Sequence, residues 1–254
     1  MQHHERISSA IRAADGRALI PFVTAGYPRA DDFVDTLVTL AEHAAVIEIG
    51  VPFSDPMADG MTIQRSSHQA IANGVSLRWI LEQLTIHETR IDVPLVLMSY
   101  LNPMLAYGLD ALAQAASAAG VCGFIVPDLP FEESAPVRHA LEAAGLGLIQ
   151  LVTPATPAAR LQQLAEHSKG FVYAVTVNGI TGGAKGMPAH TGDYLTRVKA
   201  ASSLPVCAGF GIRTGADVSS MCQHVDGAIV GSALVEVLER GDSAAAFMAS
   251  LASE

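Results

Sequence analysis

The 254-residue sequence is poor in cations: 15 Lys and Arg face 25 Asp and Glu, for a net charge of −10. No cluster of Lys or Arg stands out, which argues against nucleic acid or an anionic membrane as a partner. A small anionic ligand is compatible with this, provided that backbone amides rather than side-chain cations hold it. Cysteine is scarce too. Cys122, Cys207 and Cys222 are odd in number and unrelated in spacing. They read as reduced, buried thiols of a cytoplasmic protein and exclude a disulfide framework. No apolar run approaches the ~20 residues that a membrane-spanning helix needs. The first residues, MQHHERISSAIRAADGRA, read as a short polar helix and lack the apolar core of a signal peptide.

What is present is a rhythm. Half of the residues are hydrophobic and 16% are charged. Short β-branched runs alternate with longer Ala- and Leu-rich amphipathic runs, with no linker or composition break between them. This is the pattern of βα units around a parallel sheet. Strands are expected at ALIPFVT from Ala18, AVIEIG from Ala45, PLVLMSY from Pro94 and GFIVPD from Gly123. Four more follow at GLIQLVT from Gly147, FVYAVT from Phe171, PVCAGF from Pro205 and GAIVGS from Gly227. Helical runs separate them, among them 31–43, 104–119, 132–144 and 157–167. Eight units over this length favour a (β/α)8 TIM barrel, with an extra N-terminal helix, as a single domain over residues 1–254. The alternative is an open doubly wound sheet, which length and unit count disfavour.

In such a barrel the chemistry sits at the C-terminal ends of the strands. The expected ends are Thr24, Glu48, Tyr100, Asp128, Thr153, Thr176, Gly209 to Gly211, and Gly231 with Ser232. None of the nine histidines falls there, so no histidine-ligated metal centre is expected. The only lysines are Lys169, Lys185 and Lys199, and none stands on a strand as a Schiff-base lysine would. Cys207 lies within a strand and reads as core.

Two features carry the chemistry. The first is a set of glycine-rich turns. AGFGIRTGAD follows the seventh strand, GSALVEVLE the eighth, and NGITGGAKGMP the sixth. Glycine lets a backbone approach an anion closely, and helix starts offer unpaired N–H groups. Gly182, Gly211, Gly231 and Ser232 are therefore the candidate phosphate cradle, with turn punctuation as the plain alternative. GFGIRT also invites a dinucleotide-binding reading, but Thr214 stands at the third glycine and the segment comes late in the chain.

The second feature is a pair of carboxylates in IEIGVPFSDPMADG, residues 47–60. Strand alternation puts Val46, Glu48 and Gly50 on one face and Ile47 and Ile49 on the other. If the first face lines the barrel, Glu48 stands among apolar groups, where desolvation makes it an acid and a base near neutrality. Asp59 precedes Gly60 and a helix start expected at Thr62, on a loop that can reach the same mouth. Two carboxylates in unlike surroundings can take unlike roles. The plain alternatives are a salt bridge to Glu48 from an arginine of the helix layer and ordinary turn chemistry for Asp59. No arginine is expected at the barrel top.

The segments PFVTAGYP, IEIGVPFSDPMADGMTIQ, FIVPDLPFEES, GITGG, GFGI and GAIVGSALV occur in this order over nearly the whole chain. Together they resemble the alpha-subunit family of tryptophan synthases. The resemblance implies a barrel lyase that cleaves indole-3-glycerol phosphate to indole and glyceraldehyde 3-phosphate by a retro-aldol reaction, without metal or cofactor. By that resemblance Glu48 is the catalytic acid and base, and Asp59 accepts the indole N–H. Phe22, Met98 and Tyr100 line the indole slot, Tyr173 lies near the glycerol chain, and Thr181 closes the sixth loop over Asp59. Gly182, Gly211, Gly231 and Ser232 fall on the family's phosphate positions. The resemblance also implies a beta-subunit partner in an α2β2 heterotetramer, which alone carries pyridoxal phosphate and receives indole through a tunnel. Residues 52–55 and Asn102 with Pro103 would face it. Two departures stand out: Met61 replaces a proline common after ADG, and the sixth loop has Thr176 and Asn178 where Ser and other residues are usual. A stand-alone lyase, a non-catalytic barrel that activates a beta-type partner, and another phosphate-binding barrel such as an isomerase remain as alternatives.

Overall fold

The computed structural model describes residues 1–176, 189–209 and 211–253. In chain order the first half runs α1 (His3–Ala13), β1 (Ala18–Thr24), α2 (Phe33–Ala41), β2 (Ile47–Gly50), α3 (Met61–Ala72) and α4 (Leu77–Ile86). It continues with β3 (Leu95–Met98), α5 (Leu101–Tyr107), α6 (Leu109–Ala118), β4 (Val121–Ile125) and α7 (Ala135–Ala143). The second half holds β5 (Gly147–Val152), α8 (Ala158–His167), β6 (Val172–Val175) and α9 (Ala189–Ala201). It ends with β7 (Val206–Gly209), α10 (Gly215–Cys222), β8 (Gly227–Val230), α11 (Ser232–Glu239) and α12 (Ala244–Ala252).

The eight strands are parallel and close in sequence order. Closure is made by β1 on β8, with Ala18 opposite Gly227 and Pro21 opposite Val230. All eight expected strands are present. The expected helix over 104–119 is two helices: it breaks at Gly108, whose φ of 91° only glycine adopts without strain. β4 begins at Val121, two residues earlier than the run from Gly123 indicates.

The strands divide the core in two. Ile20, Val46, Val96, Ile125, Ile149, Cys207 and Ile229 fill the barrel interior. Ile47, Ile49, Leu95, Leu97 and Phe124 belong instead to the larger layer between strands and helices. The alternation in β2 is therefore as the sequence indicates, and Glu48 shares the interior face with Val46. Cys207 is buried core, as expected.

The N-terminal helix departs from the polar reading. Ile7 and Ile11, four residues apart on one face, are fully buried and belong to the interior core. The helix caps the lower end of the barrel. Ser8 Oγ donates to the Gly170 carbonyl at 2.7 Å, and the His4 amide donates to the Gly145 carbonyl at 3.2 Å. A Cβ at Gly170 would sit 3.0 Å from Ile7 Cδ1, and its φ of 80° already requires glycine. The other end is left for chemistry.

Candidate active site

Glu48 is the second residue of β2, two before its C-terminal end at Gly50, beside Phe22 of β1 and Val96 of β3. It is 1% exposed, and its Oε2 has no hydrogen-bond partner among the described residues. No ion pair among the described residues includes it, so the arginine alternative is not what holds it there. Burial, and then the negative charge of Asp59, push its carboxyl up to about 8. An unpaired buried carboxylate would be costly, and protonation is how the group avoids that cost near neutral pH.

Phe22 is packed over the end of β2. A Cβ at Gly50 would lie 2.5 Å from Phe22 Cζ, so Gly50 makes the room that the ring occupies. The same side chain approaches β8, because a Cβ at Gly231 would lie 3.7 Å from Phe22 Cβ. Phe22 thus spans from the carboxylate strand to the turn expected to hold phosphate. Met98, at the end of β3, is half-buried against the interior core. Tyr173 projects from β6 into the same core and packs on Phe171 at 6.1 Å. Burial raises its hydroxyl well above the ordinary range, with Glu48, Cys207 and Asp59 adding to the effect in that order. Glu48, Asp59 and Tyr173 therefore act electrostatically on one another at one mouth of the barrel.

Asp59 lies in the β2–α3 loop and is half-buried. Its amide donates to the Pro56 carbonyl at 3.2 Å, and its own carbonyl accepts from Gln64 Nε2 at 2.9 Å. α3 starts at Met61, one residue before the expected Thr62, with Gly60 as its N-cap. Met61 takes the first helical position, where proline's fixed φ is favoured. The helix start nonetheless forms, tied back by Gln64. Asp59 is more than a turn residue: Tyr100 Oη donates to its Oδ2 at 3.0 Å. Burial raises the Asp59 carboxyl, and this hydrogen bond works in the opposite direction. Tyr100 has a polar task that sequence reasoning, which assigned it only to the apolar slot, did not find. The partners are 41 positions apart, and no local pattern links them.

Two strands away on the same rim, after β8, Gly231 is the N-cap of α11 and Ser232 is its first residue. The backbone ladder of this helix begins at Leu234, whose amide donates to the Gly231 carbonyl at 2.9 Å. The amides of Ser232 and Ala233 precede that ladder and point off the helix start. Gly211 is exposed and has φ of 72°, a left-handed geometry that requires glycine. α10 differs from α11. Thr214 caps it by accepting from the Asp217 amide at 3.2 Å, and Asp217 Oδ2 accepts in return from the Thr214 amide at 2.9 Å. The residue that breaks the dinucleotide pattern is thus a helix cap, and it closes that helix start to an anion. Thr181, Gly182, Asn178 and Lys185 lie outside the described residues. Thr176, at the end of β6, is 2% exposed, and its hydroxyl has no partner among the described residues. No group of three or more metal-ligating side chains occurs among the described residues.

The profile of the family described as tryptophan synthase alpha chain matches residues 9–253. A tryptophan synthase alpha chain of Desulfovibrio desulfuricans is 47% identical over 248 residues, covering 96% of this chain and 97% of the relative. One from Nitratidesulfovibrio vulgaris is 44% identical over 245 residues, covering 96% and 95%. Among solved structures, tryptophan synthase from Mycobacterium tuberculosis superposes with a TM-score of 0.90 at 37% identity, covering 100% of this chain and 98% of that one. The alpha subunit from Legionella pneumophila superposes with a TM-score of 0.89 at 32% identity, covering 99% and 97%.

Proposed function

The chain belongs to the tryptophan synthase alpha chain family, and from that premise we propose that it is the lyase that cleaves indole-3-glycerol phosphate to indole and glyceraldehyde 3-phosphate. The observation that carries this reading is the Glu48 carboxyl: buried, without a partner at Oε2 among the described residues, and raised to about 8 at the barrel mouth. At neutral pH it holds a proton and has a ready use for it.

Glu48 donates that proton to C3 of the indole ring. The ring becomes an indolenine-like cation, and the ionised Asp59 accepts its N–H and offsets the charge. Glu48, now a carboxylate in a dry site, takes the proton from the adjacent glycerol hydroxyl. The C–C bond breaks, its electron pair returns to the ring, and the aldehyde forms. Glu48 ends protonated and ready for another turn. Phe22, Met98 and the Tyr100 ring form the apolar slot for the indole. Tyr173 faces the glycerol chain, and Thr181 closes over Asp59. The phosphate rests on backbone amides of Gly182, Gly211, Gly231 and Ser232, with the Ser232 hydroxyl as a further donor. The dipole of α11 favours the anion there.

The working form is an α2β2 heterotetramer in the cytoplasm. The beta subunit binds pyridoxal phosphate and receives indole; this chain supplies no group for that cofactor. Residues 52–55 and Asn102 with Pro103 face the partner. Three large apolar side chains nearby, Met57, Met61 and Leu105, are more than half exposed, which suits a surface that a partner covers.

The test is release of indole from indole-3-glycerol phosphate by this chain, with and without a tryptophan synthase beta subunit. Turnover strongly stimulated by the partner is expected. Full activity alone would identify a stand-alone lyase, and no turnover in either condition a non-catalytic barrel. Glu48→Gln lowers kcat by about a thousandfold, within the range of general acid–base contributions. Binding of glycerol 3-phosphate stays close to that of the wild type. Equal losses in binding and turnover would make Glu48 structural.

A further inference from the structure

We infer that Tyr100 is the positioning residue of the acid/base site: its hydroxyl holds Asp59 by one carboxylate oxygen and leaves the other free for the ring N–H of the substrate. The inference deepens the lyase reading above and rests on it.

Tyr100 is itself fixed. It is buried and forms the extended N-cap of α5, and its ring stacks on Phe53 at 5.0 Å with the planes 27° apart. The next residue is anchored from a neighbouring strand's end, where the Asp128 carboxylate accepts from the Leu101 amide through both oxygens, at 2.9 and 3.2 Å. From this base the phenol oxygen reaches the β2–α3 loop twice. It accepts from the Ala58 amide at 2.9 Å and donates to Asp59 Oδ2 at 3.0 Å. A phenol has one proton to give. With its oxygen already accepting from Ala58, that proton is aimed at Asp59. Among the described residues nothing bonds the other oxygen, Oδ1. The loop backbone is held by the Asp59 amide on Pro56 and by Gln64 on the Asp59 carbonyl, and among the described residues the Tyr100 hydroxyl is what bonds the Asp59 side chain.

The arrangement solves a charge problem. Asp59 is acted on by Glu48 from β2 and Tyr173 from β6, with Asp128 standing behind Tyr100. None of these is a cation, and no ion pair among the described residues includes Asp59. Burial favours its neutral form, and the Tyr100 O–H is the group that opposes it. Tyr100 stays a phenol throughout, because burial raises its own hydroxyl further from neutrality.

The test is Tyr100→Phe, which keeps the ring, the stack and the apolar slot while removing one oxygen. Two readouts are used. The first is the Asp59 carboxyl titration, followed by 13C NMR in the ligand-free protein, with Asp59→Asn identifying the signal. The midpoint is expected to rise by about one pH unit in Tyr100→Phe, the equivalent of a tenfold change. The second is the pH profile of indole release with the beta subunit present. The acid limb of kcat/KM moves up by the same amount, and kcat at neutral pH falls about tenfold, while KM changes by less than about threefold. An unchanged Asp59 titration in the variant would overturn this inference and leave the lyase reading standing. Absence of indole release from the wild-type protein would overturn the lyase reading, while the titration still decides whether Tyr100 governs Asp59.

Discussion

The two ends of the barrel are built on opposite rules. At the lower end α1 presses Ile7 and Ile11 into the interior, and the backbone groups of the loops it meets at Gly145 and Gly170 accept from its amide and hydroxyl donors. At the upper end a carboxyl group is buried with one oxygen unpaired among the described residues, beside a second carboxylate tethered by a phenol. The same strands serve both. Val46 packs downward in the interior core, and Glu48, two residues on and on the same face, stands at the mouth. One end converts burial into stability, and the other uses burial to hold a proton at neutral pH.

That contrast is open to attack from either side. Ile7→Ala removes packing beneath Gly170 and Gly123, where Ile7 Cδ1 would lie 3.0 and 3.3 Å from an added Cβ. The variant is expected to lose about 2–5 kcal/mol of stability in urea unfolding, in the range for buried aliphatic truncation. Its KM and the pH profile of its folded fraction stay as in the wild type. A changed profile would mean that the two ends are not separate. Ser232→Asp has the smaller effect and opposite signs at the two levels. A carboxylate facing the phosphate raises KM about tenfold by like-charge repulsion. The same carboxylate at the first position of α11 favours the helix dipole, and stability rises by about 0.5 kcal/mol. An unchanged KM would remove Ser232 from the phosphate site.

Most of this division was legible in the sequence, for a physical reason. Strand runs such as ALIPFVT and GAIVGS are short, apolar and bounded by turn residues, so their burial leaves a local trace. The two-residue period of VIEIG put Glu48 on the interior face without any knowledge of its neighbours. The lower end was less well read. HHERISSAIRA looks polar by composition, yet Ile7 and Ile11 are spaced to form one stripe, and two residues suffice when the target is the narrow end of a barrel. Helix boundaries failed where a single backbone geometry decided them, as at Gly108. The Tyr100–Asp59 bond left no trace, since it joins two loops whose approach only the closed sheet creates. For the same reason the capping role of Thr214 showed in the sequence only as a missing glycine.

The central claim is that Glu48 carries a proton at neutral pH because the mouth of the barrel is dry and Asp59 is near. It is tested most directly by following the Glu48 carboxyl in the ligand-free protein by infrared difference spectroscopy across pH, with Glu48→Gln as the blank. A protonated carboxyl band present at pH 7, lost with a midpoint at about 8 and absent in Glu48→Gln, is the predicted result. A group already ionised at pH 6, titrating in the ordinary carboxylate range, would contradict the account.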